Sequence, residues 1–414
     1  MKIHVKEIRY QKYKQFLLIS FFISLIVLRS TSAEADSKWP ERYDPRQNTI
    51  LPTIKNQGNA NNCWGFALAS AIEMNVMRGY QTNIKIDPTY MIQSHGFDLG
   101  DNRGGSLNMS IAYLSRGGYL GNDFTDYVLS SVNYLDKDSK TRRETLKQAV
   151  LEQGAVYANI KWDKSNFNEL TAGYYNKSAL KGVDHALVVI GWDDHYKKSN
   201  FLQPPPEDGA YICKNSWGEK YGDRGYIYVS YSDFMIKENT ATIVVEKSDK
   251  KERIYQHDYL GKTEELGYGQ PVAWMSNVYQ MVGEKEKLSA ISFYTLEKET
   301  KYEVWIVRQF DDAEDFKGKT KIATGRCKNE GYHRVLLNKM LLDSKEKIAI
   351  ILRLESPSIR EPIAVESPIL GYSSKASALE NESYISPDGH LWQDLYNLKK
   401  DTNNCLKLWT STSK

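Results

Sequence analysis

The chain has 414 residues, of which 41% are hydrophobic and 26% charged, with 27 Gly and 12 Pro; this composition excludes a disordered, collagen-like or coiled-coil protein. Four cysteines without a C-x-x-C pair exclude a disulfide-built scaffold and a zinc ribbon, so packing must hold the fold. At about 100 to 200 residues per domain the length admits two or three domains, and the formal net charge of +3 depends on how much of the chain is retained.

In chain order, residues 1–35 read as a cleaved signal peptide. Lys2, Lys6, Arg9, Lys12 and Lys14 form a basic start, 16–28 an apolar run, and Ala33-Glu34-Ala35 a small-residue cleavage site. The run is shorter than the about 20 residues that a bilayer span requires. The segment carries six Lys or Arg and two Glu, so without it the net charge falls from +3 to −1. The basic excess that a nucleic-acid partner needs then disappears. No second long apolar span follows to hold the chain in a membrane, so the product is expected outside the cell, secreted or associated with its surface.

Residues 63–78 place Phe66, Ser70, Met74 and Met77 on one face with Ala67 and Ala71 beside them, which predicts a buried helix. Asn61 or Asn62 would cap its start, and Gly79 would take the left-handed position past its end. Further helices are predicted over 106–116 and 142–153, then strands over 155–160, 186–191, 211–214 and 226–231. Helices first and sheet second is an α+β order. The charged stretch 246–253 has no apolar period and reads as a solvated linker. Beyond it, short β-type runs over 278–282, 288–295, 302–309, 333–338, 347–354, 383–386 and 405–410 predict an antiparallel sandwich. The expected organisation is a signal peptide at 1–35, a first domain at 36–245, a linker at 246–253 and an all-β domain at 254–414.

A nucleophilic thiol must lose its proton near neutral pH, which a helix N-terminus and an imidazole neighbour both favour. Cys63 opens the first predicted helix. The polar loop 55–62 before it can return the Gln57 amide to the sulfur, where it and the Cys63 N–H would serve a tetrahedral oxyanion. His185 stands at the mouth of the apolar strand 186–191. Asn215 follows another strand, and its carbonyl can accept the imidazole N–H and fix the tautomer, with Trp217 shielding the bond. A lone Cys is more often a small core hydrophobe and a lone His a satisfied structural residue. The four residues jointly favour catalysis. Cys213, inside a strand, is expected to pack inward as an inert thiol.

These residues resemble the papain-like cysteine peptidases. The likeness runs in order through Tyr43-Asp44-Pro45-Arg46, Lys55-Asn56-Gln57-Gly58, Cys63-Trp64-Gly65-Phe66-Ala67, Asp184-His185-Ala186, Lys214-Asn215-Ser216-Trp217-Gly218 and Gly225-Tyr226. It implies a two-lobed papain-like domain, one lobe helical and one β-barrel-like, with Cys63 as nucleophile, His185 as general acid and base, Asn215 as its orienter and Gln57 as oxyanion donor. It implies further that Gly104 and Gly105 lie along the substrate backbone. Leu107, Ala158 and Ala186 would border the pocket for the second residue on the N-terminal side of the cleaved bond, and Trp217 would stand beside the substrate. Two departures matter: Ala60 replaces the first cysteine of the family's structural disulfide, and the few residues between Ala35 and the first motif leave no room for an inhibitory propeptide.

From Ile254 onward the chain is similar to the lectin-like domain that accompanies papain-like catalytic domains in secreted bacterial cysteine proteases. The likeness rests on Ile254-Tyr255-Gln256-His257-Asp258, Ser276-Asn277-Val278-Tyr279, Phe293-Tyr294, Tyr302-Glu303-Val304, Gly331-Tyr332-His333, Ser383-Tyr384-Ile385-Ser386 and Asn404-Cys405-Leu406-Lys407. It implies the sandwich and leaves room for a structural Ca²⁺, with Asp258, Asn277 and Glu303 as oxygen ligands. No catalytic metal or cofactor is expected. The reading is a secreted cysteine endopeptidase acting on proteins or peptides, its second domain a holder for a cell-wall or surface glycan. The alternatives are a non-catalytic surface-binding protein that uses the papain-like half as scaffold, and a peptidoglycan amidase or transpeptidase. A Cys327–Cys405 bridge stays open.

Overall fold

The computed structural model describes residues 39–136, 141–178, 182–233, 236, 240–248 and 251–412. The expected signal peptide lies outside them. From Arg42 onward the chain forms one compact unit.

The first half is built on helix α1 (Cys63–Tyr80), α2 (Leu107–Ser115) and α3 (Arg142–Gln153). Its strands are β1 (Tyr127–Tyr134), β2 (Val156–Ile160), β3 (His185–Asp193), β4 (Ala210–Lys214), β5 (Tyr226–Ser230) and β6 (Ala241–Lys247). Helix α1 is Ala-, Leu- and Met-rich on every side, and all its residues from Ala67 to Val76 are buried. It runs past Gly79, the expected stop, and Gln81 takes the left-handed conformation instead at φ 53°. The added residue brings Tyr80 edge-on to Tyr127, 5.5 Å between ring centres. Strand β3 is buried along almost its whole length, as its unbroken apolar run requires of a central strand. Its register against β4 pairs Val188 with Lys214. That antiparallel pairing brings His185, at the start of β3, and Asn215, just past β4, to one end of the sheet.

The second half contributes β7 (Glu252–Tyr255), β8 (Val272–Gln280), β9 (Glu286–Thr295), β10 (Thr300–Val307), β11 (Thr320–Cys327), β12 (Gly331–Leu341), β13 (Lys347–Glu355), β14 (Ser383–Ser386) and β15 (Leu406–Thr412). One sheet orders β11-β10-β13-β8-β14 and ends on Gln393–Asp394. Its inner face packs Met275, Val304, Ile350 and Leu352 against Ile291, Phe293, Leu406 and Leu408 of β9 and β15, which makes the expected sandwich.

The two halves do not stay separate. The order β7-β15-β9-β12-β1-β6-β2-β3-β4-β5 is one continuous sheet, joined where β12 pairs antiparallel with β1, Gly331 opposite Asn133 and Tyr332 opposite Val132. Gly331 sits at φ 139°, and a Cβ there would lie 1.8 Å from the Val132 carbonyl oxygen, so only glycine permits the seam. The apolar core is shared as well: Trp64, Phe97 and Leu107 belong to the same cluster as Tyr294, Tyr332 and Cys405. The stretch 246–253 is correspondingly less of a linker than its charges suggest. Strand β6 extends through Lys247 and β7 begins at Glu252, while Arg334 of β12 pairs with both Glu246 and Glu252. Of the charges that read as solvated, Glu246, Glu252 and Arg253 are ion-pair partners. All four thiols are free, and Cys213, Cys327 and Cys405 are buried.

Candidate active site

Cys63 is the first residue of α1, where backbone N–H groups have no intrahelical partner and the helix end favours negative charge. It lines a cleft with Asn61, Trp64, Arg103, Gly104 and Gly105 on one side and Asn159 and 183–186 on the other. His185 therefore shares the cleft with the thiol, whose Sγ lies 4.0 Å from the carbonyl oxygen of neighbouring Asp184. The His185 ring is almost fully buried, and its Nε2 is 2.8 Å from Asn215 Oδ1. That atom also accepts the Ser216 N–H at 2.8 Å, which fixes it as oxygen and puts the imidazole proton on Nε2. Nδ1 is left as the nitrogen available to the cleft. Trp217 stacks on the imidazole with ring centres 4.3 Å apart, and Trp162 packs edge-on against Trp217. Trp217 is thus a cover for the histidine and not one of the residues lining the cleft.

Burial sets the electrostatics. It pushes the Cys63 thiol up, against the backbone N–H groups of Ala186 and Trp64 that hydrogen-bond the sulfur. It pushes His185 down to about 4, against the bond to Asn215. A helix end alone therefore does not make this thiol acidic. Burial disfavours the charged form of each group taken by itself.

Gln57 is held by both ends of its amide. Oε1 accepts the Ser216 hydroxyl at 2.6 Å and Nε2 donates to the Ala60 carbonyl at 2.7 Å, which leaves the second Nε2 hydrogen for another acceptor. The Gln57 N–H donates to the Ser216 carbonyl at 2.8 Å, so the loop before Cys63 is stitched to the turn after β4. Glu73, buried on α1, reinforces the same junction. It pairs with Lys55 at 2.6 Å, accepts the Ile86 N–H and faces Lys214 at 4.0 Å. Lys214 donates to the Pro52 carbonyl, and burial, opposed by Glu73, pushes it down to about 8. Helix, loop and strand end are thereby locked together beneath the three predicted catalytic side chains. Ser216 and Glu73 were not singled out from sequence. Glu73 carried a signal, a lone carboxylate in the middle of an apolar helix, and Ser216 lay inside a motif chosen for its neighbours.

Gly104, Gly105 and Ala186 line the cleft as expected. A Cβ on Gly105 would meet the Trp64 indole at 2.3 Å, so glycine is required for the wall to lie against α1. Leu107 and Ala158, expected at a substrate pocket, are buried and are not among the residues that line this cleft. Strand β2 alternates its side chains, so Ala158 points into the core and Asn159, the next residue, lines the cleft opposite Cys63. The oxygen ligands considered for Ca²⁺ have protein partners. Buried Asp258 is 2.8 Å from the Lys407 ammonium, Asn277 donates to the Asn404 and Leu406 carbonyls, and Glu303 pairs with Lys321. A lysine nitrogen at Asp258 does not fit a cation site.

A helix-opening cysteine sharing a cleft with a histidine held by an asparagine, on this α+β scaffold, defines a thiol–imidazole site. Residues 39–246 match the family described as papain family cysteine protease, and residues 254–410 match the lectin-like domain. The chain belongs to the papain family. It is 25% identical over 209 residues to cathepsin K of Mus musculus, covering 47% of this chain and 60% of that protein. It is 27% identical over 228 residues to germination-specific cysteine protease 1 of Arabidopsis thaliana, covering 50% and 57%. The chain thus spans about 60% of the length of the curated relatives it matches. Two solved structures of Cwp84 extend the likeness across both halves. One, a clostridial cysteine protease after propeptide cleavage, has a TM-score of 0.79 at 26% identity and covers 90% of this chain and 99% of that one. The other holds the cysteine protease and lectin-like domains of a surface layer associated protein of Clostridium difficile, with a TM-score of 0.77 at 26% identity and coverage of 91% and 90%.

Proposed function

We propose that the protein is a cysteine endopeptidase, exported to the cell exterior, that hydrolyses peptide bonds through Cys63. The observation that carries this reading is the His185–Asn215 bond of 2.8 Å in a cleft that also holds Cys63 at the start of α1. Asn215 occupies Nε2, so the Cys63 proton passes to Nδ1 as sulfur attacks the scissile carbonyl. The tetrahedral oxyanion meets the Cys63 N–H and the free Nε2 hydrogen of Gln57. The imidazolium returns its proton to the leaving amine, and a thioester remains on sulfur. Water, deprotonated by the same imidazole, then attacks the thioester, releases the acid and restores the thiol. Gly104 and Gly105 offer their backbone to an extended peptide, and Ala186 and Asn159 border the opposite wall. The lectin-like domain would hold the enzyme near a cell-wall or surface glycan. The description of Cwp84 as surface layer associated supports an extracellular, surface-directed role.

Casein digestion by the wild type and by Cys63→Ala, each with and without reductant, tests the reading. Cleavage by the reduced wild type alone is expected, with the thermal transition of the variant near that of the wild type. Retained cleavage in the variant would move the nucleophile elsewhere. Parallel profiling with muropeptides separates a peptidase from an amidase or transpeptidase.

A further inference from the structure

Between His95 and Ser106 the wall that ends in Gly104-Gly105 contains neither helix nor strand. Its place must therefore be set by what it leans on. The family's disulfide cysteine is absent from the loop before Cys63, and there the wall is tied by hydrogen bonds alone: the Asn61 N–H donates to Asn102 Oδ1 at 2.9 Å and Asn61 Nδ2 to the Asn102 carbonyl at 3.2 Å. Besides the Trp64 indole, which lies against Gly105 and edge-on to His95, the wall has supports from the C-terminal domain. The Asp98 N–H donates to the Tyr372 carbonyl at 2.9 Å. The Asp98 carboxylate accepts the Ser374 hydroxyl at 2.7 Å and the Ser374 N–H at 3.1 Å. The Tyr372 ring packs on Phe97 with 4.9 Å between centres. Ser106 follows Gly105 directly and caps α2 by accepting the Met109 N–H. At the far end of the wall, Arg116 donates to the Ser94 and His95 carbonyls while also donating to the Tyr259 carbonyl of the C-terminal domain.

The supporting loop, 367–376, is itself fixed. The Ser373 hydroxyl donates to the Ser367 carbonyl at 2.7 Å, the Tyr372 and Ser373 N–H groups both donate to the Ile369 carbonyl, and Ser367 is bonded to Thr263 and Thr402. It is a rigid prop and not a loose cover. We infer that the C-terminal domain is part of the substrate-binding apparatus: Tyr372 and Ser374 are positioning residues that hold the Gly104-Gly105 wall where an extended peptide backbone meets it. This deepens the peptidase reading and rests on it. Cys63, His185 and Asn215 stand on α1, β3 and the end of β4, and none of the prop's hydrogen bonds given above reaches those elements. Substrate affinity and thiol chemistry are therefore separable.

The test uses the full chain with Tyr372→Leu, which removes the ring from Phe97, and Ser374→Ala, an exposed change that removes the hydroxyl bond to Asp98 and keeps the N–H bond. KM for a peptide substrate should rise about 5-fold in Ser374→Ala, the value of one hydrogen bond, and at least as much in Tyr372→Leu. kcat and the rate of Cys63 alkylation by iodoacetamide should stay within about twofold of the wild type. Asp98→Ala, which loses both bonds from Ser374, should raise KM at least as much as Ser374→Ala, and adding Ser374→Ala to it should change nothing further. An unchanged KM would overturn the inference, as would kcat and alkylation falling in step with 1/KM, the mark of general damage. A wild type that alkylates at acid pH but cleaves no peptide would instead refute the peptidase reading, and the inference with it.

Discussion

The burial of His185 can be tested by uncovering it. Trp217 stacks on one face of the ring at 4.3 Å and keeps it almost fully buried, and burial pushes its pKa from 6.5 to about 4. That difference corresponds to about 3 kcal/mol against the imidazolium. The reactive state of the pair holds one proton between sulfur and Nδ1, so alkylation of Cys63 should begin when the fully protonated pair loses its first proton. In the wild type this acid limb belongs near pH 4, far below the about 8.5 of a free thiol. Trp217→Ala admits water to the ring and moves the limb toward 6.5. At pH 5 the variant should alkylate more slowly than at pH 8 by as much as about 30-fold, where the wild type differs little between the two. The assay is the iodoacetamide rate between pH 3 and 10, followed by mass spectrometry of the Cys63 peptide. A limb that stays in place in the variant would refute burial as its cause, and a wild type that reacts only above 8.5 would refute the pair.

Gln57→Ala should lower kcat about 100- to 1,000-fold if its amide meets the oxyanion. Ser216→Ala, which frees only the far end of that amide, should lose less, and steady-state kinetics with a peptide decide both. Lys214 is protonated below about 8 in the folded chain but up to 10.5 when unfolded. The unfolded state therefore binds more protons between those values, and stability should rise with pH across that window by at most about 3 kcal/mol. Urea unfolding at pH 8 and 10 should show a rise that Lys214→Met lacks. Gly331→Ala drives a Cβ against the Val132 carbonyl and should cost about 2 kcal/mol or more, read as a lowered thermal transition.

The site was legible because its parts are local. Cys63 announces itself by opening an apolar helix, and His185 and Asn215 by standing at the ends of β-type runs, so each could be found without knowing what it faces. Positions that depend on pairing were harder. Ala158 and Asn159 differ by one residue in β2, and strand alternation alone decides which enters the cleft. Gln57 was read as a donor, but the Ser216 hydroxyl that aims it is 159 residues away in sequence. In the second half most strands matched their β-type runs, whereas β11, half-exposed at a sheet edge, has no clean alternation and was missed. Strands β1 and β6 went unpredicted as well, and they carry the sheet across the seam. Nothing in the Glu246 to Arg253 stretch signalled that its charges answer Arg334, a residue on another strand.

That seam changes how the missing disulfide is understood. A cross-link at the loop before Cys63 would hold the cleft wall whether or not a second domain were present. Here Ala60 cannot form one, and the wall is held by the Asn61–Asn102 bonds on one side and by Asp98 and Phe97 against the C-terminal domain on the other. Such contacts are individually weak and require their partner to be folded and in register. The β12–β1 pairing and the core shared across it hold the two halves in the register that these contacts need. The chain also has no structural disulfide to lose, so the reducing conditions that keep Cys63 a thiol leave the rest of the fold untouched.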